Sequence, residues 1–297
     1  MRRYVPVLAT LACVCVSSPV IADPVPELVS PGLLSSEQGE YSPTFDVARN
    51  ELVFMRRTPG RLDYTLYSSR KTEDGWSKPE IMPFSGQSRD AGPSFAPSGD
   101  ALLFDSERRS NQVAKGSINL WRVERSASGW SEPVLLGPAS INDADEPYQT
   151  RDEYGPVETA DGTLHWYAFR TPFRGGAYFR GERQGEFERW AELPDPSAPT
   201  FVAYFTLSAD GNTAVMQGRG ETARQSDLFY SCRNDAGWSD PAPLSAVNSP
   251  QADGGPYLTA DGETLFFVSD RPTGIAGSSD SNIYSVSTQQ LPIPCGG

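Results

Sequence analysis

The chain has 297 residues, with 25 Lys and Arg against 38 Asp and Glu, a formal net charge of −13, and 38% hydrophobic residues. This is a globular balance, neither disordered nor fibrous. The single histidine, His165, excludes any multi-histidine metal site and routes every Ser-His-Asp or Cys-His scheme through one residue. The acidity argues against nucleic acid and anionic membrane as partners, since both need basic patches.

In chain order, the first element is a targeting segment. Residues 1–22 carry Arg2 and Arg3, an apolar stretch from Val5 to Val16, and Val20-Ile21-Ala22 before Asp23. That is the layout of a secretory signal peptide cut after Ala22. The apolar run is too short for a membrane span. Cleavage removes two positive charges and takes the net charge from −13 to −15. The expectation is a periplasmic or secreted monomer with no transmembrane segment. Cys13 and Cys15 leave with the segment, so Cys232 and Cys295 remain as one candidate disulfide in an oxidising compartment.

Residues 23–297 read as a single domain of five repeats, beginning near 41, 91, 154, 203 and 254. A lone strand, Pro26-Glu27-Leu28-Val29, precedes them. Each repeat opens on a short strand, as in Ser42-Pro43-Thr44-Phe45, Gly92-Pro93-Ser94-Phe95 and Gly255-Pro256-Tyr257-Leu258. Turns follow at Ser98-Gly99-Asp100, Asp161-Gly162, Asp210-Gly211 and Asp261-Gly262, which are hairpin signals. The second strands, such as Leu102-Leu103-Phe104 and Leu265-Phe266-Phe267, are apolar at consecutive positions and must be buried on both faces. An arginine comes next in every repeat: Arg57, Arg108, Arg170, Arg219 and Arg271. Third strands include Thr65-Leu66-Tyr67 and Asn282-Ile283-Tyr284, and three repeats then carry Gly-Trp-Ser-x-Pro, at Gly75, Gly129 and Gly237.

Four short antiparallel strands at a fixed period describe one blade of an all-β propeller. The fifth repeat ends at Ser285-Val286-Ser287 without a fourth strand, and the lone strand resembles the fourth strand Pro133-Val134-Leu135-Leu136. The expectation is a five-bladed β-propeller of four-stranded blades, closed by the N-terminal strand. The run from Asp253-Gly254-Gly255-Pro256 through Ser269-Asp270-Arg271 to Asn282-Ile283-Tyr284 resembles the WD-repeat-like family of the periplasmic protein TolB. That resemblance spans nearly the whole mature chain and implies the propeller fold and export. It departs from TolB, which has six blades and a separate N-terminal domain.

An acidic residue stands three positions before the opening proline in four repeats: Glu40, Asp90, Glu153 and Asp253. A catalytic group is needed once, whereas a group repeated in every blade serves every blade. These acids and the recurrent arginines are therefore expected as structural pairs. His165 replaces Val53, Leu103, Val215 and Phe266 of the other repeats and reads as a core histidine. No Gly-x-Ser-x-Gly, phosphate-loop or Cys-x-x-Cys pattern occurs.

Two features break the repeat. An acidic insertion runs from Asn142 to Glu153, and its Asp143, Asp145 and Glu146 are calcium candidates, although the spacing suits a solvated loop better. Glu158 stands where other repeats have Phe45, Phe95, Leu207 and Leu258, and Asp46 lies on the opening strand of repeat one. Together they are the carboxylates that a glycoside hydrolase would use. The loops after the arginines share a rim with the acidic insertion, and Glu146, Tyr148, Phe173 and Arg174 are the binding candidates there. The expected function is an exported, non-catalytic propeller, without cofactor, that binds a protein, peptide or glycan of the cell envelope through this rim. The alternatives are a carbohydrate-active hydrolase using Asp46 and Glu158, and a calcium-stabilised propeller.

Overall fold

Apolar runs punctuated by Asp-Gly and Gly-Trp turns produce short strands and, among the described residues, only one turn of 3-10 helix. The computed structural model describes residues 25–57, 63–110, 117–136, 152–169, 176–182, 189–193, 204–219, 225–235, 237–277 and 281–295.

After β1 (Glu27–Leu28), the first sheet holds β2 (Glu40–Asp46), β3 (Glu51–Arg57), β4 (Tyr64–Thr72), β5 (Gly75–Trp76) and β6 (Glu80–Ile81). The second holds β7 (Asp90–Phe95), β8 (Ala101–Ser106), β9 (Asn119–Ser126), β10 (Gly129–Trp130) and β11 (Val134–Leu135). The third holds β12 (Glu153–Glu158), β13 (Leu164–Phe169), β14 (Gly176–Glu182) and β15 (Arg189–Leu193). The fourth holds β16 (Phe205–Leu207), β17 (Thr213–Gly218), β18 (Asp227–Asn234), β19 (Gly237–Trp238) and β20 (Ala242–Pro243). The last holds β21 (Asp253–Leu258), β22 (Thr264–Ser269), β23 (Asn282–Ser287) and, paired antiparallel to β23, β1.

The Gly-Trp-Ser-x-Pro motif explains why the outer strand of three sheets comes in two pieces. Proline has no N–H for a ladder. The serine bridges the break, and its hydroxyl accepts from the third strand: Arg70 N to Ser77 Oγ at 3.0 Å, Glu124 N to Ser131 Oγ at 2.9 Å, Cys232 N to Ser239 Oγ at 3.0 Å.

A blade cannot bury both faces alone. Five apolar clusters fill the seams between neighbouring sheets. Val53, Leu66 and Met82 meet Phe95, Leu102 and Phe104. Leu103 and Leu120 meet Leu164 and Trp166, and Val157 meets Leu207 and Met216. Val215 and Leu228 meet Leu265 and Phe267. Finally Tyr257, Phe266 and Ile283 of the last sheet meet Leu52 and Phe54 of the first. Burying one such side chain contributes about 1.5–3 kcal/mol, so these seams carry most of the packing energy.

The opening strands β2, β7, β12 and β21 each carry a bulge at their Ser/Gly-Pro step. Gly92 there has φ +54, and a Cβ on it would collide with the Asp105 carboxylate. Beside β18 the C-terminal segment is fastened by a Cys232–Cys295 disulfide, with Cα atoms 5.1 Å apart.

A candidate functional site at the mouth of the axial cavity

The opening strands of all five sheets stand around one narrow cavity, lined by Ser42, Gly92, Gly155, Tyr204, Gly255 and their neighbours. Its volume of about 30 Å³ suits a thread of water and nothing larger. At the end where the acidic residues lie, it widens into a cup of about 190 Å³ bounded by Tyr41, Met55, Tyr64, Tyr204, Gln217, Asp253, Gly254 and Val268.

Three of the residues around the cup, Met55, Gln217 and Val268, come from one register position in the second strands, which Asp105 and Tyr167 hold in the second and third sheets outside the cup. Met55 faces Tyr41, Asp105 faces Ala91, Tyr167 faces Tyr154 and Val268 faces Gly254. Gln217 occupies the same place, its N–H donating to the Tyr204 carbonyl. At this position the five copies present a thioether, a carboxylate, a phenol, an amide and an isopropyl group. Two of these cross a seam. Gln217 Oε1 accepts from Gly255 N at 3.0 Å, and Asp105 Oδ2 accepts from Gly155 N at 3.3 Å.

Aromatic contacts stiffen the wall. Tyr41 meets Tyr64 edge-on at 5.7 Å, Tyr154 stacks on Tyr167 at 5.3 Å, and Tyr167 meets Tyr204 edge-on at 6.2 Å. Arg89 pairs with the buried Asp105 at 2.6 Å and lies over the Tyr154 ring. Burial holds the Asp105 carboxyl above its ordinary value despite Arg89, and burial likewise pushes up the Tyr204 phenol.

Of the repeated acids, Asp253 bounds the cup. Glu40 pairs with Arg56 at 2.8 Å, Asp90 with Arg108 at 2.6 Å and Asp253 with Arg271 at 2.9 Å. Each arginine also grips the connection preceding its sheet, at the carbonyls of Leu33, Phe84 and Val247. In the first sheet the partner is Arg56, which corrects the expectation of Arg57. Arg56 stands directly opposite Glu40, where the other sheets have Ser106 and Ser269. Strand alternation then turns Arg57 outward, over the Tyr41 ring. Arg219 is exposed in the fourth sheet, whose opening has no acidic residue at the corresponding position. Glu153 is fully buried.

Asp46 and Glu158 belong to different seams. Arg49 takes Asp46 at 3.0 Å and reaches Asp100 at 2.6 Å in the next sheet. Arg125 bonds Glu51 at 2.6 Å across the same seam. Glu158 is paired with Arg122 of the second sheet. Neither carboxylate is among the residues that line the cup or the axial thread. His165 is buried at the register of Val157. Asp143, Asp145, Glu146, Tyr148, Arg170, Phe173 and Arg174 lie outside the described residues. Among the described residues no group of three or more His, Cys, Asp or Glu is placed to share a metal ion.

Sheets set around an axis, each opening strand innermost, define a β-propeller. Known structures place this chain with the same class of fold. TolB from Acinetobacter baumannii superposes with a TM-score of 0.51 and 16% identity, over 87% of this chain and 56% of that one. This chain therefore spans little more than half the length of that TolB. The arabinanase of Bacillus subtilis gives 0.54 at 11% identity, over 85% and 95% of the two chains. An α-L-arabinofuranosidase from Podospora anserina, in complex with cellotriose, gives 0.52 at 13% identity, over 88% and 94%. No protein-family model and no curated protein sequence matches the chain.

Proposed function

We propose that this is an exported, five-bladed propeller of TolB-like repeats that binds a protein, peptide or glycan of the cell envelope at its loop-bearing face and catalyses no reaction with Asp46 or Glu158. The observation that carries this reading is the engagement of both carboxylates by arginines, Arg49 for Asp46 and Arg122 for Glu158, in separate seams away from the cup. A hydrolytic pair has to flank one bond, with its carboxyls about 5–9.5 Å apart.

Closure of the five blades by β1 belongs to the same reading. It is supported by the β1–β23 ladder and by Arg56, which holds the Leu33 carbonyl as Arg108 and Arg271 hold Phe84 and Val247. The segment after β1 is thereby treated as every other interblade connection. Among the described residues no helix is long and apolar enough to cross a membrane.

A hydrolase is the second reading, favoured by the fold shared with arabinan-cleaving and arabinofuranoside-cleaving enzymes. Residues 23–297 should be assayed for saturable binding to cell-envelope polysaccharide and protein fractions, and for sugar release from arabinan and aryl arabinofuranosides. Binding without release is expected. Release that disappears in Asp46→Asn or Glu158→Gln would establish the hydrolase instead.

A further inference from the structure

We propose that the cup between the first, fourth and fifth sheets binds a single uncharged, hydroxylated ring, that of one sugar residue. The inference rests on the loop-bearing face being the binding face, and it names the chemistry that face accepts. The cup is bounded by Tyr41, Tyr64 and Tyr204, with Met55 and Val268 as its apolar floor and Gln217 as its amide.

Three features of the cup select this class. First, Tyr41 and Tyr64, held edge-on to each other, and Tyr204, held against Tyr167, border the cup, and rings so fixed lose little freedom on packing against the C–H face of a sugar. Second, the polar groups are fixed, and the one carboxylate among them is already neutralised by an ion pair. Gln217 Oε1 is committed to Gly255 N, which orients the amide N–H₂ as a donor pair. Asp253 is already matched by Arg271 at 2.9 Å, and burial keeps the Tyr204 phenol protonated. An ionic ligand finds no unmatched counter-charge among these groups, and the net charge of −13 disfavours an anion. Third, a volume of about 190 Å³ is below the range of drug-sized pockets, about 300–1,000 Å³, so one ring fits and a chain does not.

The site is also built. Gly254 stands where other copies have Tyr41, Ala91 and Tyr154, and its φ is ordinary. A Cβ there would strike the Gln217 amide on all three of its terminal atoms. The absent side chain makes room for the amide, not for a backbone turn.

Saturation-transfer NMR on residues 23–297 tests the proposal, with methyl β-D-glucopyranoside, methyl α-L-arabinofuranoside and choline as separate probes. Transfer to at least one glycoside is expected. It should weaken about tenfold in Tyr204→Ala and in Gln217→Leu, each of which removes a packing or hydrogen-bonding partner. It should vanish in Met55→Trp, which fills the cup, and persist in Gln289→Ala on the opposite face. Thermal melts establish folding first, and Tyr204→Leu, which removes the ring while keeping apolar volume, replaces any cup variant that fails to melt cooperatively. Transfer to choline alone, to neither glycoside, or undiminished in the folded cup variants would overturn the proposal. Envelope binding that persists without glycoside transfer sinks the sugar cup and leaves the binding face standing. Loss of both sinks both.

Discussion

Gly254 of the fifth sheet lies directly against the side-chain amide of Gln217 in the fourth, and Gln217 in turn accepts from the N–H of Gly255. One seam is thus sealed by an amide that fits only because its neighbour has no side chain. Gly254→Ala should displace Gln217, cost about 1–3 kcal/mol through the clash and the orphaned Gly255 N–H, and reduce ligand transfer at the cup. Denaturant midpoints, read with and without the second change Gln217→Ala, check this. The double variant should recover part of the loss, because the clash is relieved.

The arginine clamps should matter more to stability than their partly exposed heads suggest. Arg271 satisfies both the fully buried Asp253 and the Val247 carbonyl. Arg271→Met leaves that carboxylate uncompensated and should destabilise the domain by about 3–5 kcal/mol. Arg271→Met combined with Asp253→Leu should restore a large part of it. Arg57→Met, at an exposed position over the Tyr41 ring, should cost less than Arg271→Met.

Reduction should loosen the tail. The Cys232–Cys295 bond joins positions 63 residues apart, and such cross-links contribute about 2–4 kcal/mol. Cys295→Ser should lower the melting temperature and abolish its sensitivity to dithiothreitol. Ile293, packed on the seam between the fourth and fifth sheets, should become accessible to protease.

Alkaline pH should unfold the domain through its buried phenols. Burial raises Tyr257 from 10.0 to about 12, while its hydroxyl donates to the Phe45 carbonyl at 3.2 Å. A phenol whose folded pKa is raised contributes stability that is full below pH 10 and is lost as the pH climbs to 12. Tyr257 alone accounts for about 2–3 kcal/mol over that window. Tyr154, Tyr167 and Tyr204 are raised in the same direction and add to the slope. Tyr257→Phe should be less stable at pH 8, having lost a bond between the fifth and first sheets, yet flatter in stability between pH 10 and 12. Urea melts across that range measure both effects.

Val29→Pro tests the role of β1. Val29 is buried and its N–H donates to the Ile283 carbonyl at 2.9 Å. Proline removes that donor and the packing, so a loss of about 2–4 kcal/mol is expected. An unchanged midpoint would mean that β1 does not hold the domain together.

Much of the architecture was legible because a repeat announces itself five times. The apolar second strands, the Asp-Gly turns and the Gly-Trp-Ser-x-Pro break each correspond to a defined backbone event. The acid-to-arginine pairing was legible in kind, yet Arg57 was the wrong residue. Adjacent arginines differ only in strand phase, and the bulge in β2 fixes which one faces Glu40. The cup was not legible at all. Its Met55, Gln217 and Val268 share with Asp105 and Tyr167 of the other sheets one register position but no chemistry, so no motif connects them. An alignment of the five second strands, read for the column that disagrees, would have drawn attention to it. Glu158 was singled out for breaking the apolar pattern, but its partner Arg122 sits on a neighbouring sheet, which local spacing cannot reveal.

The ladder joining Glu27 to Ser285 and Leu28 to Tyr284 sets an order of events for a chain that emerges from its N-terminus. The earliest strand to appear has to wait, unmated, until almost the entire polypeptide has followed it. Such a distant pairing forms late, because the cost of bringing remote segments together precedes any reward. During that interval the half-built last sheet stays open at its outer edge, and a chaperone that guards bare strands would find its work there.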